Sequence, residues 1–175
     1  LNKIKTVLPD SEITVLTRPE TAQLFSSSGL AAEILTDNKK TAGSFLGEFF
    51  RLLSELKRRR FDIIIVPHRS FRSALLAALA GVPMRIGFDS GAGSFLFTHK
   101  VPFSWLIHDL ERNLTLTLPL GGDNPRAAAA SFPALREKAG VLEALGMDGN
   151  IFIGANPGSV WPTKRWPADY WARLI

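Results

Sequence analysis

The sequence predicts an α/β fold with a parallel β-sheet, in which most of one domain is followed by the first unit of a second. Short apolar runs alternate with segments of helical periodicity through the first half of the chain, as is typical of strands joined by crossover helices. The run at 62–67, DIIIVP, is apolar at successive positions, as expected of a parallel strand covered on both faces. Turn-forming and small residues at 121–133 mark a change of composition, which indicates a linker.

The elements of the first domain follow from where the apolar periodicity starts and stops. Pro9 ends the first helix, and the helix at 44–60 carries its apolar side chains at helical spacing. We expect the strand at 62–67 to lie in the middle of the sheet, because its apolar run requires cover on both faces. The predicted elements are, in order, helix 1–8, strand 12–16, helix 18–25, strand 31–35, helix 44–60, strand 62–67, helix 70–81 and strand 84–88.

Three segments are predicted along the chain. Residues 1–122 form an α/β domain whose first strand we expect before Leu1, because such a domain rarely opens within a helix. Residues 123–149 form a linker and a connecting helix, the latter at 134–147. Residues 150–175 begin a second α/β domain with a strand at 150–155.

Composition restricts the classes of protein that the chain can represent. It is 46% hydrophobic and 21% charged, has no cysteine, and carries a formal net charge of +5. A globular protein without disulfides is therefore expected, and the positive charge favours an anionic partner. The basic run at 57–60 either complements the negative end of a helix dipole or forms a nucleic-acid patch, and the first interpretation is preferred because interleaved aromatic residues are missing.

No metal or cofactor is expected. The three histidines stand far apart in the sequence and no cysteine accompanies them, so the spacing of a metal site is not found. The glycine-rich stretch at 87–95 lacks the lysine of a phosphate-binding Walker loop, and we interpret it as a flexible loop.

The first candidate site follows the strand at 62–67. His68, Arg69, Ser70 and Arg72 come directly after this strand, and ligands bind at the carboxyl ends of the strands in open α/β sheets. The alternative is that Ser70 only caps the following helix while both arginines face solvent. The sequence leaves these two interpretations equally open.

The second candidate site lies near the end of the chain. Gly158 allows the backbone to approach an anion, Ser159 offers a hydroxyl, Lys164 supplies an ammonium group, and Pro167 suits the first turn of a helix. This strand-turn-helix pattern predicts phosphate binding. It also occurs in many other α/β proteins.

The segment at 156–175, NPGSVWPTKRWPADYWARLI, resembles the PGS-x4-KRWP segment that opens the C-terminal domain of the glycosyltransferase family 9 heptosyltransferases. The resemblance extends upstream, where VLTRPETAQLF, RFDIIIVPHRSFRSALLAALAGVPMRIGFD and HDLERNL fall in the order and spacing of that family's N-terminal domain. It covers nearly the whole chain, and the tail segment is its specific part.

The resemblance implies a GT-B fold, in which two Rossmann-like domains face each other across a cleft. It implies transfer of heptose from ADP-heptose to the inner core of lipopolysaccharide, with inversion and without a metal. Ser159 and Lys164 match the family's contacts to the donor phosphates. The acceptor is an acidic sugar linked to lipid A, for which His68, Arg69, Ser70 and Arg72 are the predicted contacts. The implied location is the cytoplasm, in peripheral contact with the inner membrane and with no nucleic acid as partner.

The chain departs from the family in the residues that it lacks. The family's general base is an aspartate in a loop expected before Leu1, and the acidic residues that hold the donor sugar are expected after Ile175. The catalytic residue is therefore unknown, its role is not assigned to Asp62 or Asp89, and we expect these residues alone to be inactive. The alternative function is a non-catalytic basic α/β module that binds phosphates of nucleic acid or lipid.

Overall fold

The computed structural model describes residues 1–26, 29–38, 45–122, 158–159 and 162–174. The chain divides into two compact units, Leu1–Arg136 and Glu137–Ile175. The predicted linker, connecting helix and strand at 123–155 lie outside the described residues, so the predicted domain boundaries stay predictions.

Helices and strands alternate in the first unit, as the sequence predicts. Each predicted element of this unit is found with its ends moved by at most two residues. The elements are α1 (Asn2–Val7), β1 (Thr14–Thr17), α2 (Pro19–Ser26), β2 (Glu33–Thr36), α3 (Phe45–Arg59), β3 (Ile63–Val66), α4 (Phe71–Leu79), β4 (Met84–Phe88), β5 (His99–Val101) and α5 (Asp109–Thr115), with 3₁₀ turns at Ser94–Leu96 and Leu118–Leu120. The second unit shows a 3₁₀ turn at Pro162–Lys164 and helix α6 at Ala168–Leu174.

All described strand pairs are parallel, which confirms the predicted α/β class. β1 pairs with β2, and β3, β4 and β5 form a three-stranded sheet in that order. The register places Ile63 beside Met84 and Ile86 beside His99. The carboxyl ends of β3, β4 and β5 therefore meet at one edge of this sheet.

The prediction that residues 62–67 lie mid-sheet is wrong for the described strands, because β3 pairs with β4 alone and β4 occupies the middle. The apolar run nevertheless has cover on both faces. Ile64 and Val66 pack into a cluster with residues of α4, whereas Ile63 and Ile65 pack against a second cluster that contains Ile86. An apolar run thus indicates that both faces of a strand are covered by side chains. It does not show that the strand pairs with a neighbouring strand on each side.

Helix α3 has its apolar stripe against β2 and α4. Leu52 is fully buried in this cluster, together with Leu35 of β2 and Leu76 of α4. Burial of one such leucine contributes about 1.5–3 kcal/mol. The cluster therefore holds β2 and α4 in a fixed relation to each other.

The basic run at 57–60 ends α3. Arg58 pairs with Glu55 at 2.9 Å, and Arg59 pairs with Glu55 at 3.2 Å and also with Glu33 of β2. Arg60 adopts a φ of 50°, in the left-handed region that commonly terminates a helix. These contacts favour the helix-end interpretation over a nucleic-acid patch.

The glycine-rich stretch at 87–95 is more structured than the flexible loop that the sequence suggests. Gly87 belongs to β4, and a Cβ on it would lie 2.3 Å from the ring of Phe97. Glycine is therefore required here so that the Phe97 ring can pack on the strand. The stretch ends in the 3₁₀ turn that begins at Ser94.

Candidate functional site

A cavity of about 480 Å³ opens beyond the carboxyl end of β3. Three of the four predicted acceptor residues, His68, Arg69 and Ser70, line it, whereas Arg72 does not. Ligands bind at this end of the strands in open α/β sheets. The complete lining is Pro67, His68, Arg69, Ser70, Phe88, Phe103, Trp105, Asp109, Arg112 and Asn113.

The segment at 67–70 forms one side of the cavity. His68 and Arg69 are exposed and Ser70 is half-buried. Ser70 occupies the N-cap position of α4, but its side chain makes no capping hydrogen bond, so the helix-cap interpretation does not account for its hydroxyl. Gly91 has a φ of 132° and a Cβ there would lie 3.0 Å from the carbonyl oxygen of Arg69, so glycine lets the loop after β4 lie against this segment.

Aromatic side chains form a second side. The Phe88 and Phe103 rings meet edge to face with centroids 5.1 Å apart, and Phe103 meets Trp105 in the same way at 4.9 Å. Oδ1 of Asp89 accepts a hydrogen bond from the backbone N–H of Phe103 at 3.0 Å. Asp89, which follows β4, therefore has a structural role in fixing the aromatic segment.

Two guanidinium groups lie against these aromatic rings. The Arg69 guanidinium is 4.2 Å from the Phe103 ring centroid and 4.7 Å from that of Trp105. The Arg112 guanidinium lies 4.5 Å from Phe103 and 5.8 Å from Trp105. Such cation–π contacts fix the planes of the arginines while their N–H groups remain able to bind an anion.

Helix α5 brings Asp109, Arg112 and Asn113 to the cavity. Their spacing of three and four residues places them on one face of the helix. The helix begins after His108, whose Nδ1 accepts a hydrogen bond from the backbone N–H of Leu110 at 3.1 Å. Arg112 pairs with the exposed Asp109 and also donates to the carbonyl oxygen of Ser104 at 3.2 Å.

The charges of the two arginines are balanced differently. Arg112 has Asp109 as its ion-pair partner. Within the part of the chain that the structure describes, no carboxylate forms an ion pair with Arg69. Arg69 is thus the cation in this cavity whose charge is left for a ligand.

Arg72 points into a different environment. It forms a two-pronged ion pair with Asp37, which follows β2, and its guanidinium lies 5.2 Å from the Phe45 ring centroid and 5.8 Å from that of Phe49. The side chain is only 14% exposed. An acceptor contact by Arg72 would require this pair to open.

Glu48 and Arg51 of α3 form a second ion pair beside Asp37. Glu48 accepts hydrogen bonds from Arg51 and from the backbone N–H of Asn38 at 2.7 Å. The hydrogen bond from Arg51 is the main reason that the pKa of Glu48 is lowered to about 2, and the Asn38 bond adds to this effect against the cost of burial. Glu48 is therefore a fixed negative charge within the fold.

The phosphate-binding pattern lies in the second unit. Lys164 is exposed at the end of the 3₁₀ turn, and Ser159 is half-buried. Nε of Arg165 donates to the carbonyl oxygen of Ser159 at 2.6 Å. Trp166 stacks on Tyr170 with ring centroids 5.8 Å apart. Arg165 therefore lies against Ser159, and Lys164 precedes Arg165 at the end of the 3₁₀ turn.

The described residues contain no group of three or more His, Cys, Asp or Glu side chains arranged to hold a metal ion. They also contain no helix that is long and apolar enough to cross a membrane.

Most of the cavity lining is not indicated by the sequence patterns described above. Phe103, Trp105, Arg112 and Asn113 are not among the predicted site residues, and no strand is predicted at His99–Val101. One signal was available, because HDLERN at 108–113 places Asp, Arg and Asn at helical spacing behind a histidine that can cap the helix. The residues that join this helix to the aromatic segment carry no comparable pattern.

Comparison with known proteins identifies relatives for most of the chain. Residues 49–175 match the profile of glycosyltransferase family 9 (heptosyltransferase). The chain is 28% identical over 142 residues to lipopolysaccharide heptosyltransferase 1 of Pseudomonas aeruginosa, covering 73% of this chain and 36% of that protein. It is 26% identical over 131 residues to lipopolysaccharide heptosyltransferase 3 of Escherichia coli, covering 71% and 38%. The chain therefore spans little more than a third of the length of these relatives.

Solved structures show the same fold. ADP-heptose lipopolysaccharide heptosyltransferase II of E. coli superposes with a TM-score of 0.77 at 24% identity, covering 99% of this chain and 54% of that one. E. coli heptosyltransferase WaaC, solved with ADP-2-deoxy-2-fluoro heptose, gives a TM-score of 0.68 at 16% identity, covering 99% and 57%. The GT-B fold class that the resemblance implies is thereby confirmed. The profile match over 49–175 shows that the chain belongs to glycosyltransferase family 9, the heptosyltransferase family.

Proposed function

We propose that the whole protein transfers heptose from ADP-heptose to the inner core of lipopolysaccharide. Family membership and relatives named as lipopolysaccharide heptosyltransferases support this function. The structural observation that carries it is the cavity beyond β3, where Arg69 lies against an aromatic wall without a carboxylate partner among the described residues. An acidic sugar offers a carboxylate for the guanidinium and an apolar ring face for the aromatic side chains.

The acceptor is proposed to bind in this cavity. Arg69 and Arg112 supply planar, fixed N–H donors that suit carboxylate or phosphate oxygens. His68 and Ser70 add polar groups that can orient sugar hydroxyls, and Trp105 provides a broad apolar surface. Few polar groups on an apolar wall are typical of sites that position a small ligand.

The donor phosphates are proposed to bind at Ser159 and at Lys164 of the 3₁₀ turn. The E. coli WaaC structure with an ADP-heptose analogue supports a nucleotide-sugar donor for this family member. Lys164 would neutralise the charge that develops on the diphosphate as the sugar bond breaks, which stabilises the transition state electrostatically. The side chain is exposed and therefore accessible to such a ligand.

The reaction is proposed to proceed with inversion and without a metal ion. An acceptor hydroxyl attacks the anomeric carbon of heptose on the face opposite ADP. The bond from this carbon to the diphosphate oxygen breaks, and ADP leaves with the electron pair. The hydroxyl proton passes to a base, for which no residue of this chain is assigned.

The reaction is proposed to take place in the cytoplasm at the inner face of the inner membrane. The proposed acceptor carries a lipid, so its sugar core lies close to a membrane surface. A peripheral enzyme would reach this core from the aqueous side.

The donor assignment is tested by Lys164→Ala in the whole protein. A charge-assisted contact to phosphate contributes about 1.5–3 kcal/mol, so the ADP dissociation constant should rise about ten- to a hundredfold. Ser159→Ala should have a smaller effect, because a neutral hydrogen bond contributes about 1 kcal/mol. Calorimetry with ADP measures both.

The matched control is Lys57→Ala, which removes an exposed lysine from the other unit. It should leave ADP affinity unchanged. If Lys164→Ala binds ADP as tightly as the wild type, the turn has no role in phosphate binding. If the wild-type protein releases no ADP when given ADP-heptose and inner-core acceptors both with and without heptose, the proposed reaction is wrong.

A further inference from the structure

The ion pair between Asp37 and Arg72 joins two elements that are distant in sequence. Nη1 of Arg72 donates to Oδ2 of Asp37 at 2.5 Å, and Nη2 donates to Oδ1 at 3.3 Å. The two side chains are only 14% and 16% exposed. Nε of Arg72 is buried and has no hydrogen-bond partner among the described residues. Arg72 is therefore enclosed and committed to Asp37, unlike the exposed Arg69.

Asp37 is itself held in place on both sides. Nη2 of Arg51 donates to the carbonyl oxygen of Thr36 at 2.6 Å, and Glu48 accepts from the backbone N–H of Asn38 at 2.7 Å. The backbone N–H of Asp37 also donates to the carbonyl oxygen of Thr17 at 2.8 Å. The carboxylate that Arg72 binds is thus a rigid anchor at the carboxyl end of β2.

The anchor acts on the first turn of α4. Arg72 is the second residue of this helix, and Ser70 is its N-cap. The four residues directly before the helix, at 67–70, form one side of the cavity. Because the first turn of α4 lacks a side-chain cap, the tie from Arg72 to Asp37 takes part in fixing where the helix begins, and hence where His68 and Arg69 lie.

We propose that Asp37 and Arg72 are a positioning pair for the acceptor cavity, and that Arg72 does not itself contact the acceptor. This inference rests on the proposed function for the meaning of the cavity. It assigns the four predicted acceptor residues to two tasks: His68, Arg69 and Ser70 meet the ligand, and Arg72 holds the segment that carries them.

The decisive variant is Asp37→Asn, which keeps the shape of the side chain and removes its charge. A positioning pair predicts that the acceptor KM rises about three- to tenfold while the donor KM is unchanged, since a weakened tie lets residues 67–70 shift. If Arg72 instead contacts the acceptor, release from Asp37 should leave the acceptor KM unchanged or lower it. Either of these results, or an equal rise in both KM values, would overturn the proposal.

A charge exchange gives a second test. Arg72→Asp should raise the acceptor KM, and the double variant D37R/R72D should restore it to within about threefold of the wild type, because the ion pair reforms with its polarity reversed. If Arg72 binds the acceptor, the double variant stays as defective as Arg72→Asp. Where the exchange variants do not fold, the result for Asp37→Asn decides.

Arg58→Gln is the matched control, because it breaks an exposed ion pair with Glu55 on α3, and α3 ends before the amino end of β3 whereas 67–70 follow its carboxyl end. It should change neither KM. Amide hydrogen exchange at Ala74, whose backbone N–H donates to the carbonyl oxygen of Ser70 at 3.2 Å, provides a readout that needs no substrate. Asp37→Asn should speed this exchange relative to Arg58→Gln, and equal rates in the two variants would overturn the positioning role. Failure of the proposed function would appear separately, as a wild-type protein that transfers no heptose.

Discussion

Arg69 and Arg72 stand three residues apart, yet their surroundings are opposite in character. Arg69 is exposed, lies against Phe103 and Trp105, and pairs with no carboxylate among the described residues. Arg72 is enclosed by Phe45 and Phe49 and bound to Asp37 through both terminal nitrogens. Both arginines contact aromatic rings. They differ in that only Arg72 is paired with a carboxylate, that of Asp37.

The partner of an arginine side chain decides its role more than its place in a sequence motif does. A guanidinium that lies on aromatic rings keeps its N–H donors for a ligand. A guanidinium that already forms a two-pronged pair with a fixed carboxylate has no free pair of N–H donors with which to bind a second anion in the same way.

The largest effect on stability is expected from replacing Glu48, which belongs to the buried ion-pair cluster on the Arg72 side of the comparison. Glu48→Ala removes the acceptor of three hydrogen bonds, two from Arg51 and one from Asn38. The free energy of unfolding should fall by about 2–3 kcal/mol, because a backbone donor and a guanidinium lose their partner. Urea unfolding of the whole protein measures this change.

Glu55→Ala is the control for Glu48→Ala. It breaks the more exposed ion pairs with Arg58 and Arg59 on the same helix, and it should cost no more than about 1 kcal/mol. Equal losses of unfolding free energy in the two variants would mean that the hydrogen bonds of Glu48 stabilise the fold no more than the exposed ion pairs of Glu55 do.

A smaller effect concerns pH. The pKa of Glu48 is lowered from 4.5 to about 2 in the folded protein. A lowered pKa contributes stability that is present above the unfolded value and is lost as pH falls from about 4.5 towards 2. Glu48→Gln should therefore flatten the acid side of the stability profile in this window. Unfolding free energies at a series of pH values test this, and parallel profiles for wild type and variant would contradict it.

The smallest effect is expected from replacing Asp109, which lines the cavity. Its side chain is 77% exposed and pairs with Arg112, so Asp109→Asn should change stability very little. The loss of a negative charge beside Arg112 should lower the acceptor KM by up to about fivefold. Steady-state kinetics measure this, with Glu111→Gln on the same helix as the control. A raised KM would mean that Asp109 itself binds the acceptor.

Much of this fold could be predicted from the sequence, because the elements up to β4 have clear apolar periodicity. The strand β5 was missed because it has three residues, two of them exposed, and so no apolar pattern. The middle position given to β3 was wrong because apolar cover on two faces does not reveal which edges pair. The succession of helices and strands along the chain could thus be predicted, whereas the choice of neighbouring strands in the sheet could not.

The site was predictable only in part. His68, Arg69 and Ser70 directly follow a strand, and they are predicted as site residues because ligands bind at the carboxyl ends of strands in open α/β sheets. The pairing of Arg72 with Asp37 spans 35 positions, and no local pattern reports such a contact. The sequence therefore indicates three of the residues that line the cavity, but not that Arg72 is already paired with a carboxylate.

The most direct test of the account is the kinetics of Arg69→Ala in the whole protein, with both substrates varied. The account predicts that the acceptor KM rises about ten- to a hundredfold, because a hydrogen bond to a charged group contributes about 1.5–3 kcal/mol, while the donor KM stays at the wild-type value. An unchanged acceptor KM, or a rise confined to the donor KM, would contradict the assignment of this cavity to the acceptor.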